Sequence, residues 1–151
     1  ACVAGLRDFI RIYTSNASKF TSLYDGVIET LSTLRDQDIR FGVCTNKPLQ
    51  PAKIILEQFG LAQFFDVVIG GDQLNSRKPD PEMLRCAMRS LNTNSCIFIG
   101  DSEVDRATAL AASQTFVLFT KGYRKADVAT LSPEYHFDDY TDLPSIVHAA
   151  F

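Results

Sequence analysis

The chain has 151 residues, 46% of them hydrophobic and 22% charged, which is ordinary globular composition with enough apolar material for one sizeable core. That excludes a disordered or fibrous chain, and a net charge of −3 disfavours a partner of nucleic acid or an anionic membrane surface. No apolar run nears the roughly 20 residues that span a bilayer, and no signal-peptide pattern opens the sequence. The four cysteines, Cys2, Cys44, Cys86 and Cys96, have neither Cys-x-x-Cys nor metal-ligand spacing, and three lie in apolar runs, where cysteine is a small reduced core residue. A soluble protein of the reducing cytoplasm is expected.

Residues 3–13 place Val3, Leu6, Phe9, Ile10 and Tyr13 at helical spacing, which predicts a helix. The polar stretch 14–22 reads as a linker and is the one candidate boundary, dividing residues 1–18 from a core of residues 19–151. Val27, Ile28, Leu31 and Leu34 form a helical stripe, with Asp25-Gly26 as the turn that opens it. Residues 39–44 are a short apolar run and predict a buried strand. Pro48 and Pro51 suit the start of a helix that runs to about Phe59 and ends at Gly60.

Further strands are expected at 65–69, 96–99 and 115–119, and a short one near 135–137. Helices are expected from Pro81 to about Leu91, over 103–112, and from about Leu143 to Ala150. Strand and helix alternate, and the strands are continuously apolar, as they are when helices cover both sheet faces. The fold class is therefore α/β, a doubly wound, Rossmann-like parallel sheet.

In such a sheet, ligands gather at the carboxyl ends of the strands. Three polar groups stand there: Thr45-Asn46-Lys47-Pro48 after one strand, Gly100-Asp101-Ser102-Glu103-Val104-Asp105 after another, and Arg77-Lys78-Pro79-Asp80-Pro81 leading into a helix. A hydroxyl at a helix start, with unpaired N–H groups beside it, suits a phosphate. Lys78 is a compact cation able to neutralise phosphate oxygens or a carboxylate. Asp101 would project at a strand tip as the hard oxygen ligand magnesium prefers, with Asp105 one helical turn on to orient it. Each group also has a structural explanation taken alone: a turn or cap at Thr45-Asn46, a solvated lysine, a helix N-cap at Asp101-Ser102.

These three motifs resemble those of the haloacid dehalogenase-like hydrolases, and residues 119–125, Phe-Thr-Lys-Gly-Tyr-Arg-Lys, resemble the bacterial phosphoglycolate phosphatase subgroup. The resemblance covers about residues 24–150. It implies a magnesium-dependent phosphomonoester phosphatase that converts 2-phosphoglycolate to glycolate and phosphate through an aspartyl-phosphate. By motif it makes Thr45 and Asn46 phosphate-binding and Lys78 the bridge between nucleophile and phosphate. It makes Asp101 a magnesium ligand, with Asp105 and Ser102 behind it.

The family's Asp-x-Asp-Gly-Thr, which carries the nucleophile at a strand end, has no counterpart. Asp36-Gln37-Asp38 precedes a strand, and Leu23-Tyr24-Asp25-Gly26 places leucine at the nucleophile position. Residues 3–13 resemble the last helix of the family's helical cap. The expectation is therefore a remnant of cap and hinge over 1–18, followed by a core that lacks its first, central strand and is inactive alone. The alternative is a degenerate, non-catalytic binding or scaffold protein. The gap between 39–44 and 96–99 would be closed by direct re-pairing, by a segment of another copy, or by a separate piece, and self-association is one outcome.

Overall fold

In the computed structural model the described residues are 2–4, 10–15, 18–122 and 124–151, with side chains described from Ser22 onward. The apolar runs form strands whose successive side chains point to opposite faces. Phe41, Val43, Ile97, Ile99, Val117, Phe119 and Phe137 face one core; Cys44, Phe98, Phe116 and Leu118 face the other. Because both faces are covered, the strands read as continuous apolar runs in the sequence. They are β4 (Phe41–Cys44), β5 (Phe65–Ile69), β6 (Ile97–Gly100), β7 (Thr115–Phe119) and β8 (Tyr135–Phe137). With β1 (Cys2–Ala4) they make a six-stranded sheet in the order β5-β4-β1-β6-β7-β8, and every pairing is parallel.

The first face is covered by α1 (Val27–Arg35), α2 (Leu49–Gln58) and α6 (Leu143–Ala150), through Val27, Leu31, Leu34, Ala52, Leu56, Leu143 and Val147. The second is covered by α3 (Glu82–Ser90), α4 (Glu103–Ala111) and the short α5 (Val128–Leu131). Each crossover carries the chain back to the same end of the sheet, so the segments after β4, β5, β6 and β7 gather there. Among the described residues no helix is long and apolar enough to cross a membrane.

The strands and helices expected from Val27 onward are present, while the short α5 falls in a stretch where none is expected. Asp25-Gly26 forms the expected turn into α1. Ala112-Ser113 closes α4 without a glycine, with Ser113 in the left-handed region at φ 57°.

The N-terminal segment differs. The helix expected over 3–13 is not present: Val3 and Ala4 belong to β1, and β2 (Ile10–Ser15) is a strand; residues 5–9 lie outside the described residues. Nor is 14–22 a linker. Thr14 and Ser15 complete β2, and β3 (Ser18–Leu23) pairs with it antiparallel from Ile10↔Leu23 to Ser15↔Ser18. The physical reason is composition together with demand for pairing. Ile10, Ile12, Tyr13, Thr14, Phe20 and Thr21 are β-branched or aromatic and suit strands.

Two central strands, moreover, leave a row of backbone N–H and C=O groups between them that only another strand satisfies. Cys2–Ala4 supplies it, with Val3 opposite Gly42 on one side and Phe98 on the other. The gap expected between 39–44 and 96–99 is thus bridged by the chain's own N-terminal residues, and these three lie in the core sheet rather than in a cap helix.

Phe119 sits within an aromatic cluster of the first core. Its ring lies 4.7 Å from Tyr24, 5.2 Å from Phe137 and 5.3 Å from Tyr140, centroid to centroid. Phe119→Ala removes these contacts and leaves a cavity that three other rings cannot fill without leaving their rotamers. A loss of about 3–5 kcal/mol is expected, read as a lower denaturant midpoint at unchanged slope; a loss under about 1 kcal/mol would show that this cluster does not support the fold.

Candidate functional site at the strand ends

β4 runs into Thr45, which is 8% exposed. Its N–H donates to the carbonyl of Ile69 at 3.0 Å, and its Oγ1 accepts the N–H of Lys47 at 3.1 Å, which leaves the hydroxyl proton as a donor at the strand tip. The next loop is clipped against the end of β5. Gly71 N–H donates to Lys47 O at 2.8 Å, Leu49 N–H donates to Asp72 Oδ1 at 2.9 Å, and Arg77 Nε donates to Gly71 O at 3.0 Å. Asp72 thereby satisfies one open N–H at the start of α2.

The decisive connections run through Asn46 and Lys78. Asn46 Oδ1 accepts the N–H of Lys78 at 2.9 Å, and its Nδ2 donates to the Lys78 carbonyl at 3.1 Å. The side chain expected to hold phosphate oxygens therefore grips the backbone of the neighbouring motif. Lys78 then reaches across to α4, where its Nζ meets Asp105 Oδ1 at 2.6 Å and lies 5.6 Å from the centroid of the Phe98 ring. Both side chains are nearly shielded from water, 9% and 4% exposed.

The other oxygen of Asp105 is also committed. Oδ2 accepts the Ser102 hydroxyl at 2.8 Å and the Asp101 N–H at 3.1 Å, while Ser102 caps α4 by accepting Asp105 N–H at 3.4 Å. Burial pushes the Asp105 carboxyl up, but the Lys78 charge and hydrogen bond, the Ser102 hydroxyl and the Asp101 N–H outweigh it and hold the group below the ordinary carboxylate value. The three sequence motifs are thus joined in one hydrogen-bonded chain, from Thr45-Asn46 through Lys78 and Asp105 to Asp101.

Asp101 is 2% exposed at the tip of β6. Among the described residues no three His, Cys, Asp or Glu side chains cluster as a complete metal cage. Both oxygens of Asp105 are engaged by Lys78, Ser102 and the Asp101 N–H, and the second buried carboxylate, at the tip of β6, is that of Asp101. That fits a cation which keeps several waters and takes further ligands from a bound phosphate, as magnesium does, and does not fit a closed structural metal. Cys44, beside Thr45, is fully buried with its thiol pushed up to about 12 by burial, which makes it a core residue.

Three residues have contacts here that the sequence reading did not assign. Gly100 is close to Asp105: a Cβ there would fall 2.6 Å from Asp105 Cγ and 2.7 Å from its Oδ2. Glu103 Oε1 accepts the N–H groups of Lys125, at 2.7 Å, and Ala126, tying the loop after β7 to α4. Gly122, in that loop, packs on Asp101. The signals in the sequence were the motif at 100–105, which holds Gly100 and Glu103, and the run 119–125, which holds Gly122 and carried a resemblance but no role.

Known proteins resemble this chain in sequence and fold. The family model of haloacid dehalogenase-like hydrolases matches residues 3–119. A phosphoglycolate phosphatase of Cereibacter sphaeroides (strain ATCC 17029 / ATH 2.4.9) is 43% identical over 139 residues, covering 92% of this chain and 64% of the relative. One of Rhodobacter capsulatus is 41% identical over 145 residues, 92% of this chain and 66% of its own length. The chain thus spans just under two thirds of these relatives. A crystal structure from Haemophilus somnus 129PT, described as a predicted phosphoglycolate phosphatase, superposes with a TM-score of 0.80 at 32% identity, over 85% of this chain and 58% of the other.

Asp105 also sets a pH dependence. Its folded-state value lies below its unfolded one, so its contribution to stability is complete above the ordinary carboxylate range and disappears as pH falls through the lowered value. Asp105→Asn leaves a buried ammonium without its counter-ion and should cost about 3–5 kcal/mol at neutral pH. The gap between wild type and variant should then narrow from about pH 4 downward. Denaturation midpoints between neutral and strongly acidic pH check this, and a gap that stays constant would contradict it.

Proposed function

Because this chain belongs to the haloacid dehalogenase-like hydrolase family, we propose that it carries the phosphate-holding half of a magnesium-dependent phosphomonoester phosphatase, with 2-phosphoglycolate as substrate. The observation that carries the reading is the single hydrogen-bonded network joining Thr45-Asn46, Lys78 and Asp101 to Asp105 at the strand ends. The substrate rests on relatives at 41% and 43% identity named for phosphoglycolate.

In this reading the Thr45 hydroxyl donates to a phosphoryl oxygen. Lys78, held in place by Asn46 behind it and Asp105 beside it, presents its remaining ammonium protons to the phosphoryl group and to the attacking carboxylate. Asn46 acts through Lys78 rather than on phosphate. Asp101 is the protein ligand of magnesium; when bound, the ion supplies charge neutralisation on the transferring phosphoryl group. Asp105 and Ser102 hold Asp101 and Lys78 in register.

Among the described residues no carboxylate stands at the end of the central strand. The sequence has no Asp-x-Asp-Gly-Thr, and the strand in the central slot ends in Ala4. The covalent step, in which a carboxylate displaces the alcohol from phosphorus, therefore has no nucleophile here, and the 151-residue chain is inactive alone. A second reading, a phosphate-binding module without catalysis, is favoured by the way Cys2–Ala4 completes the sheet with no aspartate at its end.

Both readings expect orthophosphate to bind in the presence of magnesium, and Lys78→Ala to weaken that binding at least about tenfold, the equivalent of ~1.4 kcal/mol. Calorimetric titration measures it, and equal binding by the variant would sink the site. In the same preparations 2-phosphoglycolate should yield no phosphate above the Lys78→Ala background. Turnover that disappears in the variant would overturn the claim of inactivity.

A further inference from the structure

The loop after β7 has its own tie to the site, made by backbone rather than by a charged group. A Cβ placed on Gly122 would fall well inside van der Waals contact with the Cβ of Asp101, and 2.6 and 2.8 Å from its Oδ2 and Cγ. The closest of these atoms is fixed directly to the backbone of a residue that is 2% exposed. Turning the Asp101 side chain to another rotamer therefore cannot clear the collision.

The loop cannot withdraw either. Thr120 donates its N–H to Phe137 O at 2.9 Å and its hydroxyl to the same carbonyl at 3.2 Å. Tyr24 donates its hydroxyl to Lys121 O at 3.3 Å, and Glu103 accepts the N–H groups of Lys125 and Ala126. The loop is pinned on both sides of residue 122. Asp101 lies between this fixed backbone and Asp105, which takes its N–H.

We propose that Gly122 is a positioning residue: its bare backbone is the seat against which the Asp101 carboxylate is oriented, and so it sets the affinity of the site for a divalent cation. This rests on the reading of Asp101 as the cation's protein ligand. The residue touches neither substrate nor ion and acts only through Asp101. Any side chain at 122 would move the carboxylate, the loop, or both, although the charges of the site would be unchanged.

The test is manganese binding followed by electron paramagnetic resonance, well below the melting temperature, on the full 151-residue chain. Wild type, Gly122→Ala and Asp101→Asn are compared, with near-ultraviolet circular dichroism to show that each is folded. Supporting partners of metal ligands typically contribute 10–100-fold to affinity, so Gly122→Ala should weaken manganese binding about tenfold or more while Asp101→Asn abolishes it. If Asp101→Asn abolishes binding and Gly122→Ala does not change it, the seat is refuted and the reading of Asp101 survives. If Asp101→Asn binds as wild type does, or wild type does not bind, that reading fails and the seat falls with it.

The contact has a metal-free test as well. Gly122→Ala should lower the melting temperature, and the exchanged pair Asp101→Gly with Gly122→Ala should recover most of the loss, because it removes the atoms that collide. This also decides the matter should Gly122→Ala alone fail to fold: recovery in the exchanged pair supports the seat, and no recovery overturns it.

Discussion

The buried ion pair between Lys78 and Asp105 is the constraint on which the site depends. Taking an ammonium and a carboxylate out of water costs several kcal/mol per ion, offset only when geometry is good and the remaining lone pairs are satisfied. Both conditions are met by neighbours from separate parts of the chain. Ser102 and the Asp101 N–H complete Asp105, while Asn46 fixes the backbone from which Lys78 extends. The pair is therefore stable only if the ends of β4 and β6 and the loop before α3 arrive together. A network of this kind specifies one arrangement more than it adds stability, and it holds three chemically reactive groups in fixed register.

The sheet makes that convergence possible. Parallel strands with right-handed crossovers bring their carboxyl ends to one edge, so residues 45, 78 and 101, far apart in sequence, become neighbours. In the central slot, backbone pairing outweighs local preference. The segment at residues 2–4 belongs to an apolar pattern that scores as helix, yet each of its residues pairs with partners on two sides, near residues 41–43 and 97–99. Such partners are remote in sequence and invisible to any periodicity within residues 3–13. The β2-β3 pair was concealed for a related reason: the polar residues Ser18, Lys19 and Ser22 of β3 read as a linker when counted for hydrophobicity, while the β-forming residues Phe20 and Thr21 favour a strand.

From Val27 onward the fold was legible because the inner strands β4, β6 and β7 are buried on both faces and each helix on one. Residues 65–69 and 115–119 declare themselves as short, largely apolar runs between turn residues, and Leu31 and Leu34 mark a helical face. The site was legible in residue types and less so in roles. Thr45, Lys78, Asp101 and Asp105 stand at the strand ends as their chemistry suggested. Asn46 did not disclose that its amide would meet a backbone 32 residues away. Gly122 and Glu103 were illegible because a glycine's importance lies in what approaches it, and the approach of Asp101 is a long-range contact.

The charges at the strand ends also say what a ligand must bring. Within the shielded network the Lys78 ammonium is paired with Asp105, and a second buried carboxylate, that of Asp101, stands at the tip of β6. A phosphate dianion entering this set alone would meet excess negative charge at low local dielectric, where repulsion is poorly screened. Under the proposed reading a cation held by Asp101 would offset that charge, and each ligand would then raise the affinity for the other by the same factor, as linkage requires. Asp105, for its part, is fixed by the Lys78 ammonium, the Ser102 hydroxyl and the Asp101 N–H.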